Sequence, residues 1–127
     1  MVEQSMDVEK FADDIFKIDV GIRYVGIVDE EYHVLVSKMR SGLVSLTSAK
    51  TERDFVSIMP PIIVDAVEKL EPHLGNMESV SIRYEKALLL FQRVKNLVLV
   101  MSFGPEVVTP FLSRISTETG KLADKAG

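Results

Sequence analysis

Residues 78–101 read ESVSIRYEKALLLFQRVKNLVLVM, and this stretch decides the fold. It contains three apolar runs separated by two short polar turns, Glu85-Lys86 and Lys95-Asn96. The first run, residues 78–84, alternates between polar and apolar side chains, which is typical of a strand with one buried face. The other two runs, residues 87–91 and 97–101, are continuously apolar and predict buried central strands. Three consecutive strands are therefore expected.

A β-hairpin is predicted upstream. Residues 22–28 and 32–36 are rich in β-branched and aromatic side chains, and the polar turn Asp29-Glu30-Glu31 separates them. The first run carries apolar residues on both faces, so it is expected to lie inside a sheet that is covered on both sides.

Three helices complete the pattern. Apolar residues at helical spacing predict the first over residues 7–18, capped by Asp7 or Ser5 and ended by Gly21. The last is predicted over residues 107–115, entered at Thr109-Pro110, and the polar residues 117–127 are expected to fray.

The middle helix is the longest apolar segment with a 3.6-residue period. Thr51 and Asp54 resemble a capping arrangement at its start, and Pro72 with Gly75 is expected to finish it. Pro60 and Pro61 interrupt it, because a proline inside a helix removes a backbone hydrogen bond and clashes with the preceding turn. We expect a kinked helix, or two short helices that meet there.

The element order is therefore α-β-β-α-β-β-β-α. Five strands with helices on both faces predict an α/β fold of three layers, α/β/α. At 127 residues the chain has the size of one domain, with a core over about residues 7–116.

This order resembles the roadblock domain, known from dynein light chains and from small stand-alone prokaryotic proteins. The resemblance rests on IRYVGIVD (residues 22–29), EKLEPHLG (68–75) and VSIRYEK (80–86). It implies a five-stranded antiparallel sheet with the middle helix on one face and the terminal helices on the other. It also implies homo- or heterodimers through the middle helix and third strand, and complexes that control small GTPases. The chain departs from the family at Glu30-Glu31, where members often have glycine, and at Pro60-Pro61.

Composition excludes several classes of function. The net charge of −4 argues against a nucleic-acid partner, which needs a clustered excess of Lys and Arg. The absence of cysteine excludes disulfides and thiolate sites. No apolar run approaches the ~20 residues of a membrane span. Acids near the N-terminus argue against a signal peptide, so a cytoplasmic protein is expected.

Candidate catalytic and cofactor-binding residues are few. His33 and His73 are the only histidines, and no third ligand lies at a metal-site spacing, so neither a metal nor another cofactor is predicted. No nucleophile elbow or phosphate-binding glycine motif is present. We therefore expect no enzymatic activity.

The strongest functional signal is the apolar arc of the middle helix, which is wider than the ~100° stripe that one sheet face covers. Apolar surface left over marks an interface. The third strand has polar residues on its outward side and suits a sheet edge that can pair with another chain. The predicted interface comprises Phe55, Met59, Ile62, Ile63, Ala66, Ser79, Ser81 and Arg83.

Three functions are open at this point, of which the third, an unrecognised enzyme, has no motif behind it. The first is a dimeric interaction module, pairing with itself or a related subunit and scaffolding or regulating a small GTPase or signalling complex. The second is a small-molecule sensing domain with a PAS- or profilin-like pocket, which small residues such as Gly26 and Ala87 would help to open.

Overall fold

A computed structural model describes residues 7–43 and 46–126 of the chain. The elements in chain order are α1 (Val8–Phe16), β1 (Tyr24–Val28), β2 (Val34–Met39), α2 (Ala49–Glu68), α3 (Glu71–Leu74), β3 (Val80–Arg83), β4 (Leu88–Val94), β5 (Leu97–Phe103) and α4 (Thr109–Ala126). Asp7 caps α1 by accepting a hydrogen bond from the Lys10 backbone N–H at 3.1 Å; Ser5, the alternative cap, lies outside the described residues.

The strands form one antiparallel sheet of five, in the order β2-β1-β5-β4-β3. The predicted sheet is confirmed, with β2 and β3 at its two edges. The register between β1 and β2 shifts between Ile27 and Val28, so the β2 edge carries a bulge. On this same edge strand, Lys38 Nζ reaches Asp13 Oδ1 of α1 at 3.0 Å.

Helices cover both faces of the sheet, which confirms the three layers. Helices α1 and α4 pack on one face around Phe11, Ile15, Leu99 and Ile115, all buried. Helix α2 packs on the other face, where Val56 and Val64 contact a cluster with Tyr24, Val28 and Val98.

Helix α2 begins earlier than predicted and does not break. Its cap is Ser48, whose hydroxyl accepts a hydrogen bond from the Thr51 backbone N–H at 3.1 Å, so Thr51 lies in the first turn. The helix runs without interruption through Pro60 and Pro61, so the prediction of two short helices is wrong. Pro60 is buried against the sheet together with Val56 and Val64, and this packing offsets the two lost backbone hydrogen bonds.

The C-terminal segment is helical and not frayed. Helix α4 continues to Ala126, and Ile115, Thr119 and Ala123 are buried along one side of it. The prediction that residues 117–127 fray is therefore wrong over the described part. Thr119 and Ala123 continue the buried stripe with small side chains, which a search for large apolar residues overlooks.

Gly21 does not end α1, because the helix stops at Phe16 with Lys17 as its C-cap. The following turn is held by the Arg40 guanidinium, which donates to the carbonyls of Phe16, Asp19 and Ile22 at 2.6, 2.7 and 2.7 Å. The prediction that Pro72 and Gly75 finish the middle helix is wrong, because α2 ends at Glu68 with Lys69 as its C-cap. Gly75 instead ends the separate short helix α3, with a φ of 89° that favours glycine.

Candidate protein-interaction surface

Helix α2 buries one narrow side on the sheet. Val56, Pro60 and Val64 are spaced by four residues and are its buried side chains. Ile58 and Ile62, which the helical period directs away from the sheet, are 57% and 58% exposed. The helix therefore carries more apolar surface than its own sheet covers, as the sequence indicated.

One flank of α2 is apolar and faces the β3 side of the sheet. The Phe55 ring lies 5.9 Å from the ring of Phe91 in β4, centroid to centroid, which fixes the direction of this flank. Met59, Ile62 and Ala66 follow Phe55 at intervals of four, seven and eleven residues and so share its flank. Phe55 and Met59 are half-buried, whereas Ile62 and Ala66 are exposed.

The opposite flank of α2 is polar. Lys50 and Asp54, one turn apart, form an exposed ion pair at 2.8 Å, and Asp65 and Glu68 continue this side toward the end of the helix. The apolar and polar residues of α2 therefore lie on different sides of the helix. Ile63, at the margin between the apolar flank and the buried side, is half-buried.

The sheet surface beside the apolar flank of α2 is also apolar and forms a floor next to the helix. Val80 and Ile82 of β3 pair with Phe91 and Leu89 of β4, and paired residues in an antiparallel sheet point to the same face. Val80, Ile82 and Leu89 are half-buried on the face that carries α2. We call the apolar flank of α2 and this floor the apolar trough.

Strand β3 forms the open side of the trough, because it pairs only with β4 within the described chain. The Tyr84 N–H donates to the Ala87 carbonyl at 2.7 Å, which places Tyr84 among the residues that bond to β4. Bonding alternates along an antiparallel strand, so the N–H and C=O groups of Ser81 and Arg83 point outward. The edge is thus able to accept another strand.

The predicted site residues divide into two groups. Phe55, Met59, Ile62, Ile63 and Ala66 lie along one side of α2, from its apolar flank to the margin of its buried side. The side chains of Ser81 and Arg83 lie on the opposite sheet face, and Ser79 is exposed just before β3. The Arg83 guanidinium is engaged within the chain, where it donates to the carbonyls of Pro105 and Val107. The Arg83 side chain is therefore engaged within the chain, whereas the outward backbone groups of β3 have no partner strand among the described residues.

The predicted interface omits several members of this surface, although Ile58 and Leu70 follow the apolar period of the middle helix in the sequence. Ile58 and Leu70 extend the exposed apolar side of the helical segment, and Leu70 is 55% exposed. Val80, Ile82 and Leu89 supply the floor. The alternation of residues 78–84 carried the signal for Val80 and Ile82, but which sheet face α2 covers was needed to place them beside the helix.

A charged cluster fastens the end of α2 to the sheet. Arg93 of β4 lies 3.2 Å from Glu68 Oε2 and also bonds to Glu71, at the start of α3. The Met77 N–H, followed by Arg93, holds the pKa of Glu71 below its usual value. This cluster fixes the position of α2 and α3 above β4.

The two histidines lie apart, His33 in a turn and His73 at the end of a helix. His33 Nδ1 lies 3.3 Å from Asp29 Oδ2 in the β1–β2 turn, where Asp29 Oδ1 also accepts the N–H groups of Glu31 and His33. Tyr32, with a φ of 65°, takes the left-handed position in this turn. His73 lies in the last turn of α3. Within residues 7–43 and 46–126, no three acidic or histidine side chains are grouped as a metal site requires.

Gly26 does not open a pocket. A β-carbon built on it would lie 2.9 Å from both Tyr24 Oη and Val56 Cγ2, so these side chains already fill the space. Ala87 is half-buried beside the β3–β4 turn. A cleft of about 390 Å³ lies elsewhere, between α4 and the turn that joins β4 to β5. None of the described helices is long and apolar enough to cross a membrane.

Comparisons with known proteins give the fold. By sequence, no protein-family model and no curated protein matches the chain. The structure is similar to the gliding protein MglB from Thermus thermophilus, with a TM-score of 0.64 and 18% identity over 98% of this chain and 100% of that chain. It is also similar to MglB in a tetrameric arrangement, with a TM-score of 0.63 and 16% identity over 99% and 100% of the two chains.

A Roadblock/LC7 domain from Streptomyces avermitilis superposes with a TM-score of 0.65 and 8% identity, over 89% of this chain and 88% of that chain. At such low identities the shared property is the fold. The chain therefore has a roadblock-like fold.

Proposed function

We propose that this chain is a non-enzymatic, cytoplasmic interaction module that acts as a dimer, with a second copy or a related subunit as its partner. The observation that carries the proposal is the exposed Ile62 on the flank of α2 whose Phe55 contacts β4, on a sheet with an open edge at β3. An exposed apolar helix flank together with an unpaired edge strand favours a partner that supplies both an apolar surface and a strand.

The two parts of the surface contribute in different ways. Burial of apolar area in the trough supplies the free energy of association, at about 25 cal/mol per Å². Backbone hydrogen bonds along β3 supply orientation, because a strand accepts a partner only in defined registers. The similarity to MglB in a tetrameric arrangement supports the proposal, since a protein of the same fold associates with itself.

The test is the oligomeric state of the wild-type chain and of Ile62→Asp, measured by light scattering at tens of micromolar. Ile62 is more than half exposed, so the acid leaves the core intact while placing a charge in the trough. Val20→Asp is the matched control, because Val20 is an aliphatic residue, 86% exposed, and lies outside the trough. We expect a wild-type dimer, a monomeric Ile62→Asp and a dimeric Val20→Asp. A monomeric wild-type chain contradicts the proposal.

The dimer is further proposed to scaffold or regulate a small GTPase or signalling complex. The resemblance to roadblock domains supports this role. The experiment is affinity capture from native lysate with GDP or a non-hydrolysable GTP analogue, using wild type and Ile62→Asp as baits. Enrichment of a GTPase that depends on the nucleotide and on Ile62 is expected. Enrichment that ignores both contradicts the role.

A further inference from the structure

The cleft between α4 and the β4–β5 turn has the size of a small-molecule site. Its volume is about 390 Å³, and ligand sites in proteins have volumes of about 300–1,000 Å³. Gln92 and Val94 of its lining lie on the sheet face that carries α1 and α4, whereas the apolar trough lies on the face that carries α2. The cleft is therefore separate from the surface proposed for dimerisation.

Gly120 of α4 leaves space in this cleft. It belongs to the lining, and a β-carbon built on it would meet no atom within 4 Å. A glycine inside a helix is less favourable than an alanine, so helix stability does not account for it. What the missing side chain supplies is room beside the sheet.

Gln92 brings a buried polar group without a full set of partners to the cleft. The residue is 5% exposed, and its Nε2 donates to the Ser116 carbonyl of α4 at 2.8 Å. Its Oε1 is buried and accepts no hydrogen bond from any described residue, which is unfavourable for a buried acceptor. The terminal torsion of a glutamine is broad, so the amide can turn this oxygen toward a donor that enters the cleft.

Charged side chains of both signs also line the cleft. Lys95 of the β4–β5 turn and Lys121 and Asp124 of α4 belong to the lining, and none of them forms an ion pair within the described chain. Arg93 is a further member of the lining, but two glutamates already bind its guanidinium. The cleft therefore offers two unpaired cations, one unpaired anion and one neutral acceptor.

Lys95 has a backbone conformation that favours glycine. It is the first residue of the two-residue turn between Val94 and Leu97, and its φ is 52°. Non-glycine residues with a positive φ are strained and cluster at functional sites. The strain at this position accompanies a lysine side chain that a glycine would not provide to the cleft.

The mixture of charges restricts the ligand. A simple anion would meet Asp124, and a simple cation would meet two lysines. We propose that the cleft binds a free acidic amino acid, glutamate or aspartate. Its two carboxylates pair with Lys95 and Lys121, and its ammonium group donates to Asp124 and to Gln92 Oε1. This site goes beyond the proposed function and does not depend on the dimer.

The test is titration of the ¹⁵N-labelled chain with L-glutamate and L-aspartate at constant ionic strength, followed by NMR. Saturable shifts confined to residues 92–95 and 117–124 are expected, with an affinity in the millimolar range, as suits a small ligand in an open cleft. Glutarate lacks the ammonium group and glutamine lacks the second carboxylate. Each is expected to bind about tenfold more weakly, because a charge-assisted hydrogen bond is lost.

Three variants test the location of the site. Lys121→Gln removes one cation at an exposed position, and Gly120→Leu fills the cleft without changing its charge. Both are expected to weaken glutamate binding by about tenfold or more. Lys125→Gln is the matched control, because Lys125 is exposed on the same helix but outside the lining, and it is expected to leave binding unchanged.

The outcomes that would overturn the proposal are distinct. No saturable shift with either acidic amino acid rules out the site. Glutarate binding as tightly as glutamate rules out an amino acid as the ligand class. Unchanged affinity in Lys121→Gln, or an equal loss in Lys125→Gln, rules out this cleft as the place of binding.

Discussion

Gly26 of β1 lies directly beneath Val56 of α2, so close that a β-carbon on Gly26 would stand 2.9 Å from Val56 Cγ2. The same β-carbon would stand 2.9 Å from Tyr24 Oη. A real β-carbon essentially never lies this close to another heavy atom, so the glycine is what allows α2 to approach the sheet. The distance between α2 and the sheet therefore depends on this contact.

Gly26→Ala is expected to lower the free energy of unfolding by about 1–3 kcal/mol, because the added methyl overpacks the α2–β1 contact. Gly120→Ala is the control. Gly120 lies within α4, and nothing lies within 4 Å of its would-be β-carbon, so this change is expected to stabilise the chain by about 0.5–1 kcal/mol. Urea denaturation measures both. A neutral Gly26→Ala would show that α2 shifts freely.

Tyr24 is expected to make the fold sensitive to alkali. Burial raises its pKa to about 12, with the hydrogen bond from or to Ser37 Oγ, 2.7 Å away, acting in the opposite direction. The raised pKa means that its contribution is complete below pH ~10 and is lost as the pH rises toward 12. We expect a loss of about 2–3 kcal/mol over this window.

The measurement is urea denaturation at several pH values between 9 and 12, with Tyr24→Phe as the comparison. The phenylalanine has no proton to lose, so its stability is expected to fall less steeply over the same window. Lysines titrate in both proteins and cancel in the difference. Equal slopes would show that Tyr24 ionises without cost.

Replacement of Arg40 even by lysine is expected to destabilise the fold. Its guanidinium donates to the last carbonyl of α1 and to two carbonyls after it, and it stacks 5.2 Å above the Phe16 ring, a geometry that an ammonium group cannot reproduce. Arg40→Lys is expected to cost about 1–3 kcal/mol. Arg114→Lys is the control, since Arg114 is half exposed and pairs with Asp19 on the surface, and should cost less than ~1 kcal/mol. Equal losses in thermal unfolding would contradict this role.

Thr119 is expected to tolerate removal of its hydroxyl. The residue is fully buried in α4, and its Oγ1 has no hydrogen-bond partner among the described residues. Thr119→Val keeps the shape and removes an unsatisfied polar atom, so a gain of about 1 kcal/mol is expected. Thr117→Val, at an exposed position of the same helix, should change stability by less than ~0.5 kcal/mol. A loss at Thr119, measured by urea denaturation, would indicate that its hydroxyl is hydrogen-bonded.

The strands were predictable because their side chains satisfy local rules. The continuous apolar runs at 87–91 and 97–101 became the central strands β4 and β5, and the alternating run at 78–84 became the edge strand β3. An alternating pattern indicates a strand with one covered face, and a continuous apolar pattern indicates a strand with two. Both patterns can be recognised from the residues of the strand alone.

The helices were less predictable where packing outweighs local preference. Pro60 and Pro61 argue for a break, yet Pro60 is buried between Val56 and Val64 and the helix continues. Gly120 and the polar residues around it argue for a frayed end, yet Ala123 is buried against the core. In both cases contacts from distant parts of the chain compensate for an unfavourable local residue.

The sequence predicted that some apolar residues of the middle helix would stay exposed, but not which of them would form a surface beside β3. The sequence shows that the middle helix has too many apolar residues for one sheet face. Which of them face β3 depends on the lateral position of the helix, and the contact between Phe55 and Phe91 fixes that position. The polar residues of β3 indicated an edge, but the hydrogen-bond alternation was needed to show that its outward backbone groups, and not the Arg83 side chain, have no partner among the described residues.

The two sheet edges differ, and this limits the growth of any assembly. The β2 edge is interrupted by the bulge opposite Ile27 and Val28, and it holds Lys38, whereas β3 is regular over Val80–Arg83. Bulges and lysines discourage pairing at an edge. A sheet with one edge that accepts a strand and one that rejects it terminates after two chains. This protein is therefore expected to stay a closed particle at concentrations where a doubly open sheet would elongate into filaments.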